Sequence, residues 1–160
     1  MVQHIWSVRS MALGAAALGL SGLGAAAQAQ GVEHHYTAEQ FEGFSANMKE
    51  GLSNVTIPTG PGAVVISVRR DRDGEVEVHK KMADLITARK GAAQIRVGGT
   101  AEGQRQTAPD EFRGGKQVGG KVYDLKPGDT IYIAPGQPHQ MLVKKGAEFR
   151  YMAVKFGPTP

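Results

Sequence analysis

Residues 128–140 read GDTIYIAPGQPHQ, and this stretch decides the fold. Gly128-Asp129 is a turn signal, residues 130–134 are a short strand, and Pro135-Gly136 turns the chain again. His139 follows three residues later. The same grammar extends to both sides. Residues 63–68 are a Val/Ile run, Asp73-Gly74 marks a turn, and residues 75–79 alternate Glu with Val before ending on His79. Residues 85–88, 92–97, 121–125, 141–144 and 149–156 are further short strands, with Gly or Pro in most gaps. Many short strands without a second helical pattern predict an all-β barrel or sandwich. Residues 98–120 break the rhythm, being polar and rich in Gly and Gln. A connection that long reads as a flexible cover over a barrel mouth or as a solvated loop.

One helix precedes the strands. Thr37 is its N-cap and Gln40 completes a capping box. Phe41, Phe44, Met48 and Leu52 recur every three or four residues and draw one apolar docking stripe.

The first 29 residues belong to a different class. Arg9 precedes an Ala/Leu/Gly run over residues 11–27, and Ala27-Gln28-Ala29 has the small-x-small pattern of a cleavage site. This is a secretory signal, with cleavage expected after Ala29 and the periplasm as destination. A membrane anchor is the other reading of the run, which is short and glycine-rich for a span. Three regions follow: residues 1–29 as signal, 30–62 as a segment with a short helix, and 63–157 as the barrel. Removing the leader takes one base and no acid from the chain, leaving 18 Lys and Arg against 15 Asp and Glu, a net +3. The bases are scattered, so nucleic acid is not an expected partner. With no cysteine, disulfides, thiolate metal sites and cysteine nucleophiles are excluded.

Five histidines sort by position. His4 leaves with the leader, and His34 and His35 form a solvated pair. His79 and His139 lie in or beside strands. Residues two apart on a strand share a face, so Glu77 projects with His79, and Asp84 can face His79 across the short connection of residues 80–83. Two imidazoles and a carboxylate suit a divalent metal; a hydrogen-bonded core histidine and an exposed ion pair are the plainer alternatives.

These residues resemble the cupin superfamily. Its first motif, in outline H-x-H, three or four residues, E, six residues and G, is matched by Glu77-Val78-His79, Asp84 and Gly91. Its second motif, G, five residues, P-x-G, two residues, H, three residues and N, is matched by Gly128, Gly136 and His139. The resemblance covers residues 63–156 and implies a single jelly-roll-like cupin barrel. The chain departs from the pattern where Glu77 replaces a histidine, Asp84 replaces a glutamate, Pro135 stands one place late and Val143 replaces the asparagine. By resemblance, His79, Asp84, His139 and Glu77 would hold one divalent metal, a hard set favouring Fe, Mn or Zn. Glu77 is then a fourth ligand or a general base, acting on a small organic molecule by dioxygenase, isomerase, decarboxylase or lyase chemistry. The altered ligand set equally suits a metal-free barrel that binds a small molecule. Tyr123 and Tyr132 are pocket candidates or sheet-packing residues, and Asp110, Glu111 and Arg113 are candidate ligand contacts. The resemblance also implies a homodimer, with residues 64–68 as an edge, interface or core strand.

Overall fold

The computed structural model describes residues 33–57, 59 and 62–157; the expected leader, residues 1–29, lies outside them. Among the described residues no helix is long and apolar enough to cross a membrane. The chain forms α1 (Ala38–Phe44), β1 (Leu52–Ile57), β2 (Ala63–Arg70), β3 (Glu77–His79), β4 (Ala83–Lys90), β5 (Ala93–Val97) and β6 (Thr100–Glu102). It continues with β7 (Arg105–Ala108), β8 (Glu111–Arg113), β9 (Lys116–Val118), β10 (Lys121–Leu125), β11 (Thr130–Ile133), β12 (His139–Leu142) and β13 (Phe149–Phe156).

Two antiparallel sheets make the barrel walls, in the orders β1-β2-β13-β4-β11 and β10-β5-β12-β3-β8-β7. The alternation along β13 shows how they face each other. Phe149, Tyr151 and Ala153 are buried, and the residues between them are half-buried. The buried set packs with Ile66, Val68, Ile86, Ile95, Ile133 and Met141 into one core between the sheets. Phe149 and Ile95 are wholly buried, each worth about 1.5–3 kcal/mol of apolar transfer free energy.

The capping box at Thr37 forms as expected: the Gln40 amide donates to Thr37 Oγ1 at 3.2 Å, and the Thr37 amide donates to Gln40 Oε1 at 2.9 Å. The helix is shorter than its apolar stripe. It stops at Phe44, with Ser45 as C-cap, so Met48 and Leu52 do not continue it. Glu50 and Gly51 turn through positive φ (48° and 78°), and Leu52 starts a strand opposite Arg70. Gly51 sits at φ +78°, in the left-handed region that favours glycine. The first sheet therefore begins at β1, ahead of residue 63. Its pairing also moves β2 inward: β2 lies between β1 and β13, so residues 64–68 are not an edge strand.

Residues 98–120 are not a bare loop. β6 pairs with β9, and β7 with β8, while β8 adds to the second sheet beside β3. Gln117 is buried and donates to Gly98 O at 2.7 Å and Pro138 O at 3.1 Å, tying this excursion to the backbone just before His139.

Candidate functional site

Strand register assembles the site from two rows. In the second sheet His139 stands opposite Glu77, and Glu77 stands opposite Arg113 on its other side. One step along, His79 stands opposite Glu111. In the first sheet Asp84 stands opposite Lys155. All the side chains of these rows converge inside the barrel.

His79 Nε2 faces Lys155 Nζ at 2.5 Å, Glu77 Oε2 at 3.3 Å and Asp84 Oδ2 at 3.5 Å. The nearest of these can only donate, so Nε2 accepts. The opposite nitrogen, Nδ1, is buried without an aligned hydrogen-bond partner, with Glu111 Oε1 3.4 Å away. His139 Nε2 lies 3.6 Å from Asp84 Oδ2, while its Nδ1 sits 3.1 Å from Gln137 O and donates there. Lys155 Nζ donates to Asp84 Oδ1 at 3.0 Å, and Arg113 Nη1 donates to Glu77 Oε1 at 2.7 Å.

Burial pushes the Glu77 carboxyl up, but its contact with His79 and the charges of Arg113, His139 and Lys155 outweigh that and hold it at about 2. A carboxyl held there is a weak proton acceptor near neutrality. Burial is also the main influence on His139, lowering it below the ordinary 6.5 against the opposing pull of Glu77 and Asp84.

The structure thus brings together the four residues expected from the sequence: Glu77, His79, Asp84 and His139. Glu111 and Arg113 join them, whereas Asp110 pairs with Lys81 at 3.0 Å on the surface. Tyr123 and Tyr132 are exposed, and the tyrosine lining the cavity is Tyr151. Lys155, Arg70 and Tyr151 escaped the sequence reading. Their signal was available, because Phe149, Tyr151, Ala153 and Lys155 share one face by period two, as do Ile66, Val68 and Arg70.

Beside the cluster lies a cavity of about 80 Å³ lined by Arg70, Glu77, Asp84, His139, Met141 and Lys155, among others. That is far below the roughly 300–1,000 Å³ of drug-sized sites.

Comparison with known folds places this arrangement. The chain superposes on a conserved Klebsiella pneumoniae protein with a double-stranded β-helix domain (TM-score 0.57, 17% identity), covering 81% of this chain and 95% of that one. It also superposes on the Schizosaccharomyces pombe Cnp3 cupin domain (TM-score 0.53, 11% identity), covering 72% of this chain and 71% of that one. The fold is the cupin barrel. The family model of the AraC-like ligand binding domain matches residues 114–159, the part of this cupin barrel from β9 through β13. No protein of curated function matches the sequence. Within the cupin barrel, Glu77, Asp84 and His139 come from three different strands and lie together around His79.

Proposed function

We propose that this cupin barrel binds a small organic molecule in the cavity beside Glu77 and His139, with Lys155 supplying the positive charge at its centre. The observation that carries this is the position of Lys155 Nζ, 2.5 Å from His79 Nε2 and 3.0 Å from Asp84 Oδ1. Imidazole lone pairs and carboxylates gathered out of water need a cation among them, and the chain brings one on β13. The match of β9 through β13 to a ligand-binding domain supports the small-molecule reading.

A metal centre is the second reading, favoured by the convergence of Glu77, His79 and His139, whose ligand atoms all lie within 4.8 Å of one another. Asp84 stands beside both imidazoles. The donors suit one Fe, Mn or Zn ion, which would bind only with Lys155 turned away, since its Nζ holds the His79 lone pair. Such an ion would supply Lewis-acid chemistry; Glu77 is better placed as a ligand than as a base.

Metal content and ligand binding test the two readings. The Lys155 reading expects purified full-length protein to carry less than a tenth of an equivalent of any transition metal. A mixed panel of small neutral and ionic molecules should shift the Met141 methyl resonance. A stoichiometric metal that disappears in His139→Ala would replace the first reading by the second, and a silent Met141 across the panel would remove the ligand-binding reading. Export through residues 1–29 and a homodimer remain parts of this proposal, testable by cell fractionation and light scattering.

A further inference from the structure

Charge pairing around the cavity leaves one of its lining cations, Arg70, without an ion-pair partner among the described residues. Glu75 is bound by Arg105 through two contacts of 2.8 and 3.0 Å, Glu77 by Arg113 at 2.7 Å, and Asp84 by Lys155 at 3.0 Å. Each carboxylate lining the cavity therefore has its own partner. Arg70, at the end of β2, lines the same cavity and is 6% exposed. Among the described residues it forms no ion pair, and its Nε is buried without a hydrogen-bond partner. What it does touch holds it in place. Its guanidinium lies over the Tyr151 ring, 5.7 Å from the centroid, and Gly74 packs against it so tightly that a Cβ there would come within 2.5 Å of Nη1. A charge taken out of water without a counter-ion is costly, and a guanidinium is shaped to take a carboxylate through two parallel hydrogen bonds.

We propose that the cavity takes a small carboxylic acid, its carboxylate on Arg70 and its remainder toward Met141 and His139. This rests on the small-molecule reading and names the ligand class. The cavity volume of about 80 Å³ restricts the acid to a short chain. Arg70, held against Tyr151 but without an ion-pair partner among the described residues, discriminates an acid from a neutral molecule of the same shape.

The test compares acids with their own amides. Full-length protein is titrated with acetate and acetamide, and with pyruvate and pyruvamide, followed by calorimetry and by the Met141 methyl resonance. The acids are expected to bind tighter than the amides by about tenfold or more, as fits a charged hydrogen bond. Arg70→Gln is expected to erase that preference while leaving amide binding in place. Equal binding of acid and amide overturns the Arg70 assignment and leaves the ligand-binding reading standing; so does an unchanged preference in Arg70→Gln. No response from any of the four compounds overturns the acid proposal, and the mixed panel then decides whether the ligand-binding reading falls with it. The acid–amide comparison uses the unaltered chain, so it holds even if the variant does not fold.

Discussion

Lys155 and Asp84 stand directly opposite each other on β13 and β4, and the Nζ of one donates to Oδ1 of the other at 3.0 Å inside the barrel. Both side chains are largely shut off from solvent, at 13% and 4% exposure. Removing one partner leaves the other as an uncompensated buried charge, a change that typically costs about 3–5 kcal/mol. Lys155→Met is therefore expected to lose stability on that scale in urea unfolding, and Lys155→Met with Asp84→Asn to lose less than the single variant. A single variant as stable as the parent would show that the pair does not hold the barrel together.

Acid should unfold the barrel through the same cluster. Glu77 holds its proton less tightly folded than unfolded, about 2 against 4.5, so its contribution is whole above pH 4.5 and drains away as pH falls toward 2. The difference is worth on the order of 3 kcal/mol. His139 acts in the same direction at higher pH: lowered below 6.5, it favours the unfolded chain once that chain can take up the proton. Melting temperature is expected to fall in two stages on acidification, the first beginning near pH 6.5. Glu77→Gln should be less stable at pH 7 and should flatten the second stage; a second stage as steep as the parent's would refute the assignment.

Two glycines at positive φ, Gly91 and Gly136, should separate cleanly. Gly91 has φ +76°, and a Cβ on it would meet the Glu148 carbonyl oxygen at 2.0 Å; Gly136 has φ +79° with nothing within 4 Å. Gly136→Ala bears only the left-handed backbone, about 1 kcal/mol, whereas Gly91→Ala must also displace backbone and should cost roughly 2–4 kcal/mol. Urea midpoints measure the difference, and equal costs would mean that the close approach at Gly91 is relieved without effect.

Gln117 offers a test of the 98–120 excursion. Gln117→Leu removes both of its bonds, to Gly98 O and Pro138 O, and leaves Pro138 O with the Gly98 amide alone. A cost of about 1–3 kcal/mol is expected, with faster hydrogen exchange at the Gly98 amide, which itself donates to Pro138 O at 2.8 Å. Unchanged exchange there would make the glutamine incidental.

How much of this was legible in the sequence depends on the range of the interaction. β10 and β13 have the bounds read from residues 121–125 and 149–156, because period two is written locally. The pairing of Glu77 with His79 followed from the same rule. The helix was overread, since Met48 and Leu52 keep a helical spacing that strand pairing with β2 overrides. Glu111 and Arg113 reach the site because β8 pairs with β3, a register that turns within residues 98–120 do not announce. Lys155 and Arg70 were readable as charges on apolar faces, though the histidines drew the reading elsewhere.

The place of β13 in the first sheet has a consequence for assembly. β2 and β4 are not hydrogen-bonded to each other; β13 lies between them and hydrogen-bonds to both. In order of synthesis β13 is the last of the described strands, so β1-β2 and β4-β11 stay two separate ribbons until residues 149–156 are made. Lys155 arrives with that strand, and the inner carboxylate of Asp84 waits in water until then. The long-range contacts of the first sheet are therefore completed late, when its last strand joins the two ribbons.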